Sequence, residues 1–198
     1  MIPHSTEAHL EEIVRSTPWL MRALEAARTV DAPDWLIGSG AVRTAVWDHL
    51  HGYEKRTELA DIDLVFFDPD DLSEAHEHET QSRLQSALPD EPWDAKNQAA
   101  VHLWYPERFG YEVDPLTSSA AAVATWPETA VCVGLRLAEN DRVLIEAPLG
   151  LDDLLGLVHR RNPTRVSVGE YERRLAAKRI TERWPRVTVV PARSRSTS

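Results

Sequence analysis

The chain has 198 residues, 42% of them hydrophobic and 27% charged, which suits a globular protein with a buried core and excludes a wholly disordered chain, a collagen or a coiled coil. No apolar run reaches the roughly 18–20 residues that a membrane-spanning helix needs, so no membrane partner is expected. Net charge is −10, and the signs are segregated: residues 159–198 carry 11 Lys and Arg against 3 Asp and Glu, while residues 1–158 carry 11 against 29.

An acidic body of this kind repels a long phosphate backbone, because duplex binding rests on neutralising phosphates with Lys and Arg. The basic C-terminal part either meets an anion or forms a solvated helix that complements the body. The N-terminus has no basic region followed by an apolar stretch, so it does not read as a secretory signal. The single cysteine, Cys132, permits no internal disulfide and no cysteine-based zinc site. It lies in an apolar run and reads as buried and inert; the expected compartment is a reducing cytoplasm.

Residues 5–29 read as one or two helices, with Ser5 or Thr6 as cap, Pro18 in the first turn of the second, and Leu20, Leu24 and Ala27 on its apolar face. Residues 34–40 read as a short strand running into a glycine turn, and 41–51 as a helix stopped by Gly52. A charged, flexible connection over 53–60 leads to a strand over 61–67. There Ile62, Leu64 and Phe66 take one face and Asp61, Asp63, Val65 and Phe67 the other. A polar surface helix follows over 72–87, then a strand over 93–103 and an alanine-rich helix over 117–124. Residues 129–137 and 142–146 flank Glu139-Asn140-Asp141 as a hairpin. Residues 151–159 read as a short helix capped by Asp152 or Asp153, 168–183 as a basic helix, 187–190 as a last strand and 191–198 as a disordered tail. Residues 1–190 thus make one α+β domain of two layers, helices packed on a small mixed sheet. Its parts are N-terminal helices over 5–29, a core over about 30–115 and a C-terminal part over 116–190 that holds the basic helix.

The chemistry concentrates in residues 36–67. A strand ends in Gly38-Ser39-Gly40 and a helix begins at once; the next strand opens on Asp61-Ile62-Asp63. Alternation places both carboxylates on one face, where they repel each other and raise each other's pKa. Such a pair offers oxygens to a hard cation, and Mg²⁺ is the usual one, bound by one or two carboxylates plus substrate phosphates. Bare amides at the start of the helix are a ready anion site, and glycine lets a phosphate come close.

This order of parts resembles the DNA polymerase β-type nucleotidyltransferase superfamily, whose signature is Gly-Ser or Gly-Gly, a helix, Asp-x-Asp on a strand and a third acid on a later strand. The start Gly40-Ala41-Val42-Arg43 looks like the tRNA nucleotidyltransferase and poly(A) polymerase branch. The 23 positions from Gly38 to Asp61 exceed the compact members, and the 53–60 segment accounts for the excess. The run from Trp93 to Ala99 is similar to one in a bacterial nucleotidyltransferase-like family, which also shares Trp126-Pro127-Glu128-Thr129, Gly134 to Leu137, Ala147 to Leu154 and Arg183-Trp184-Pro185.

The resemblance implies a polymerase β-like fold and Mg²⁺-dependent transfer of a nucleoside monophosphate from an NTP to a hydroxyl, with release of pyrophosphate. Asp61, Asp63 and Asp94 become the catalytic and metal-binding residues, holding two Mg²⁺ ions roughly 4 Å apart, with Mn²⁺ as a substitute. Gly38, Ser39 and Gly40 would cradle the phosphates, with Arg43 and Lys96 neutralising charge and Lys178 or Arg173 adding to it. The acceptor is open: a small molecule, an RNA end or a protein. Plainer readings stand beside these: Asp94 as a surface acid, Arg43 paired with Asp48, and Trp104 and Tyr105 as core rather than base-stacking residues. Two other functions remain, a degenerate nucleotide-binding or interaction module and a toxin–antitoxin-type transferase acting on a partner protein. The glycine turn is neither a hydrolase elbow nor a dinucleotide fingerprint, and no P-loop exists.

Overall fold

The computed structural model describes residues 5–192, so all but the first two residues of the expected tail at 191–198 lie outside it. Two amphipathic helices come first, α1 (Thr6–Arg15) and α2 (Pro18–Val30). The Ser5 side chain accepts from the Ala8 amide, and Pro18 opens α2 where its missing N–H costs nothing. Strand β1 (Leu36–Gly38) runs straight into α3 (Ser39–His51), which Gly52 ends in the left-handed conformation. Then come β2 (Ile62–Phe66), α4 (Glu74–Ala87) and β3 (Trp93–Asn97).

The five-stranded sheet has the order β3-β2-β1-β4-β5, with β4 at Gly134–Leu137 and β5 at Val143–Glu146. Only β2 and β3 are parallel; the other neighbours are antiparallel. The two faces differ in kind. Ile37, Ile62, Leu64, Phe66, Trp93 and Leu135 turn to one side and join α1, α2 and α3 in the main core. On the other side only a small cluster of Leu36, Val65, Val123 and Cys132 is buried, with Trp126 against it. Cys132 lies there as expected, its thiol pushed up to about 12, first by burial.

Several expectations are corrected. The strand expected over 93–103 ends at Asn97, whose side chain accepts from the Ala99 amide. A 3-10 turn over Gln98–Ala100 and helix α5 (Val101–Phe109) follow. The expected strand over 129–137 starts only at Gly134, after a 3-10 turn at Thr129–Val131. Helix α6 spans Ser119–Val123, and α7 only Asp152–Leu155, with Leu151 rather than an aspartate at its cap. Residues 158–159 leave α7 as β6 (Val158–His159) and pair in parallel with β7 (Thr188–Val189), outside the main sheet. The basic helix breaks at Arg179, left-handed, into α8 (Val168–Lys178) and α9 (Ile180–Arg183). The 53–60 connection is tied down, since the Asp48 carboxylate accepts from the Thr57 amide and hydroxyl at 2.7 and 2.6 Å. Among the described residues no helix is long and apolar enough to cross a membrane.

Candidate active site

The parallel pairing of β2 and β3 sets Asp63 beside Asp94 and Val65 beside Lys96. With Ile62 and Leu64 in the core, alternation turns Asp63, Asp94 and Lys96 to the other face, and Asp61 precedes them on the β2 side. The pairing sets Asp63 and Asp94 side by side, and Asp61 lies near enough for their charges to act on one another. Burial raises Asp63 to about 6, helped by the negative charges of Asp61 and Asp94 and opposed by a Ser39 hydrogen bond and by Lys178. Asp61 is also raised, first by burial and then by Asp94, against Lys178 and Arg43. Lys96 is half exposed and stands 3.6 Å from Asp94 and 3.4 Å from Glu77. Among the described residues no three His, Cys, Asp or Glu side chains form a ready-made metal cage.

The turn at Gly38 also carries a packing constraint. At Gly38 a Cβ would lie 2.4 and 2.6 Å from ring carbons of Trp126 and 2.9 Å from the Val133 carbonyl. Gly38 thus makes room for Trp126. Ser39, not a glycine, takes the left-handed backbone, with φ 55°. That conformation costs about 1 kcal/mol or more in a residue with a side chain, and it turns Ser39 toward Asp63. Gly38→Ala should therefore lose about 1–3 kcal/mol by overpacking. Trp126→Leu, which removes the ring atoms in the way, should restore part of that loss. Urea melts of both single variants and the double variant check this, and strictly additive losses would refute the contact.

Arg43 is not on the open face. The residue is 3% exposed, and its guanidinium lies 5.5 Å from the Trp47 ring centre and 5.3 Å from that of Trp184. Burial lowers it to about 10, and its charge still reaches Asp61. It does not pair with Asp48, whose carboxylate is taken up by Thr57 and by the Trp184 indole N–H at 2.7 Å.

Sequence reasoning missed the residue that organises the cations. Glu128 is fully buried, 3.1 Å from Arg174 Nε and 3.5 Å from Lys178 Nζ. Burial alone would raise its pKa, but Lys178, Arg174 and His159 hold it below the usual range. Burial pulls Lys178 down to about 8 against the pull of Glu128. The positive end of α8 is thus fixed where it acts on Asp61 and Asp63. The only sequence signal was the shared Trp-Pro-Glu-Thr stretch; no periodicity marks an isolated acid in a loop.

A cleft of about 890 Å³ opens on this face. Of the candidate residues, Ser39, Asp63 and Lys96 line it, whereas Asp61 and Asp94 do not. Its far wall is aromatic, with Trp104, Tyr105, Phe109 and Tyr111. Six Lys and Arg line the cleft against two carboxylates, the reverse of the balance in the chain as a whole. Arg173, the alternative to Lys178, lines it too but is mostly exposed and paired with Glu170.

A family model described as nucleotidyltransferase matches residues 25–189, and the chain belongs to that nucleotidyltransferase family. No curated protein matches the chain. Among solved structures it is similar to one described in the words "the NMR structure of the protein reveals a CCA-adding enzyme head domain". The two are 28% identical over 92% of this chain and 95% of that one, with a TM-score of 0.76. The fold is that of the polymerase β-type nucleotidyltransferases.

Proposed function

We propose that the protein transfers a nucleoside monophosphate from an NTP to a hydroxyl acceptor, releases pyrophosphate, and needs Mg²⁺ or a similar divalent cation to do so. One observation carries this reading: Asp63 pairs beside Asp94 on neighbouring strands, feels the charge of Asp61 and the hydrogen bond of Ser39, and lines the cleft with Ser39. The donor set fits a hard cation, since it is all oxygen, and burial followed by neighbouring carboxylate charge raises Asp61 and Asp63 in its absence. Such an ion, held by these carboxylates, would stabilise negative charge on the phosphates and sharpen the acceptor hydroxyl.

The chain's own residues supply the rest. The Ser39 hydroxyl and the first amides of α3 face the phosphates, and Lys96 adds a mobile positive charge beside Asp94. Lys178 and Arg43 hold positive potential behind the carboxylates. The description of the similar solved structure as the head domain of a CCA-adding enzyme supports an NTP as donor.

A second reading, a nucleotide-binding module without turnover, is favoured by the lack of a ready-made three-ligand cage among the described residues. Calorimetry with ATP, GTP, CTP and UTP, with and without Mg²⁺, separates the two when run beside a pyrophosphate-release assay. The transferase reading expects Mg²⁺-dependent binding that the Asp61→Ala/Asp63→Ala variant loses, and pyrophosphate once an acceptor is present. Binding of no NTP in any condition would overturn both readings; binding without release from any acceptor would favour the second.

A further inference from the structure

The run Arg183-Trp184-Pro185 takes no part in the transfer step, yet α3 is built against it. Trp184 is fully buried. Two guanidinium groups lie over its ring, Arg43 at 5.3 Å and Arg183 at 4.6 Å, and it meets Trp47 edge-on with ring centres 5.3 Å apart. Its indole N–H donates to Asp48 at 2.7 Å. The Nε and Nη1 of Arg43 are buried and have no hydrogen-bond partner among the described residues. A guanidinium held in this way stays where its rings put it. Moving Trp184 therefore moves the positive charge that acts on Asp61 and Asp63.

Asp48 has a second hold. Its carboxylate takes three hydrogen bonds in all: from the Trp184 indole, from the Thr57 hydroxyl at 2.6 Å and from the Thr57 amide at 2.7 Å. The connection over 53–60 contains no helix or strand, so side chains fasten it. The Tyr53 hydroxyl donates to the Arg183 carbonyl at 3.0 Å, Arg183 donates to the Glu58 carbonyl, and Leu59 packs on the main core. Asp61 follows four residues after Thr57. The Asp48 charge also acts on Arg183.

We infer that Asp48 is a positioning residue for the metal-binding carboxylates. Through Thr57 it fixes the chain that delivers Asp61, and through Trp184 it fixes Arg43. Asp48 is 6% exposed and lies about 14 Å beyond Ser39 along α3, so it acts only through these two partners. The inference rests on the transferase reading, since both paths end on carboxylates to which that reading assigns the ion. An amide cannot replace the carboxylate. In either orientation its NH₂ meets an N–H donor, of Thr57 or of Trp184, and its charge is gone.

The test is the affinity of the full chain for Mn²⁺, read from the electron paramagnetic resonance of the free ion, and for Mg²⁺–NTP, read by calorimetry. Both are measured at a temperature where circular dichroism shows each variant folded. Groups that orient metal ligands cost about 10–100-fold in affinity when removed, so Asp48→Asn should weaken binding about tenfold or more. Thr57→Val and Trp184→Phe each remove one hydrogen bond and keep the shape. Each should weaken binding less than Asp48→Asn, and the two together about as much; this pair decides the question if Asp48→Asn does not fold. Leu137→Ala, a core deletion in β4, lowers stability away from these contacts and should bind as wild type does. Amide exchange in Asp48→Asn should quicken over residues 53–61 and stay unchanged in β4 and β5.

Unchanged affinity in Asp48→Asn, or equal weakening in Leu137→Ala, would overturn the inference while wild-type binding keeps the transferase reading standing. A wild type that binds neither Mn²⁺ nor Mg²⁺–NTP overturns the transferase reading, and this inference with it.

Discussion

Asp63→Asn should abolish turnover and, in the same protein, make the metal-free fold more stable at neutral pH. The activity loss follows from the role proposed for the carboxylate. Charge stabilisation by a catalytic ion contributes several kcal/mol; taken as about 4 kcal/mol, its loss lowers the rate about 10³-fold. The stability gain follows from the folded-state pKa of about 6, which burial and the charges of Asp61 and Asp94 produce. An ordinary aspartate titrates near 3.9, so between about pH 4 and 6 the folded state holds the proton more tightly than the unfolded one. This contribution is fully present below about pH 4 and is lost as pH rises through about 6, leaving a repulsive anion at neutral pH. The Asn side chain never carries that charge. Thermal melts of metal-free protein should show the variant about 1–3 kcal/mol more stable than wild type at pH 7.5, and the difference should close by pH 4. Mg²⁺ should raise the melting temperature of the wild type and leave that of the variant nearly unchanged. A variant less stable than wild type at both pH values would mean that Asp63 is a structural acid.

The same carboxylates show how much a sequence displays. Asp61, Asp63 and Asp94 were legible because strand alternation is a local rule: Asp63 and Asp94 point away from the core because Ile62, Leu64, Trp93 and Ala95 point into it. The turn from β1 into α3 was legible because apolar residues followed by small ones leave few choices. Helix α5 was not. Val101, Trp104 and Tyr105 favour strands and Pro106 argues against a helix interior, yet the Asn97 side chain ends β3 and starts a new turn. Helix α5 carries Trp104, Tyr105 and Phe109 to the wall of the cleft, which the sequence did not place. Gly38 was placed correctly for an incomplete reason, because its neighbour Trp126 is 88 positions away in the chain. Contacts of that range carry no local pattern.

The cations show the limit most clearly. Segregated charge predicted a basic C-terminal part but left open whether it was a solvated face or an anion site. The structure divides it by position on α8. Arg173 faces solvent and pairs with its neighbour Glu170, whereas Arg174 and Lys178 turn inward to Glu128. Residues four apart share a helix face, so the inward pair follows once one buried acid fixes the rotation.

That dependence makes Glu128→Ala the variant with the largest expected effect on stability. The carboxylate has no solvent exposure, and its removal leaves Arg174, Lys178 and the buried Arg43 without their shared counter-charge. Breaking a buried ion pair from one side costs about 3–5 kcal/mol. Arg174 and Lys178 keep about a third of their side chains in water, which favours the lower end, about 3 kcal/mol. At roughly 2–4 °C per kcal/mol for a chain of this size, the melting temperature should fall by about 6–12 °C. Glu128→Gln keeps the shape and one acceptor and should fall in between. Glu128→Met/Lys178→Met removes charge from both sides and should recover part of the loss, since an apolar pair needs no counter-charge. A cycle in which the two substitutions simply add would show that Glu128 acts by packing alone. If the charge is what matters, Mg²⁺–NTP affinity should fall in Glu128→Gln even where the fold survives, because Lys178 then loses the partner that holds it toward Asp61 and Asp63.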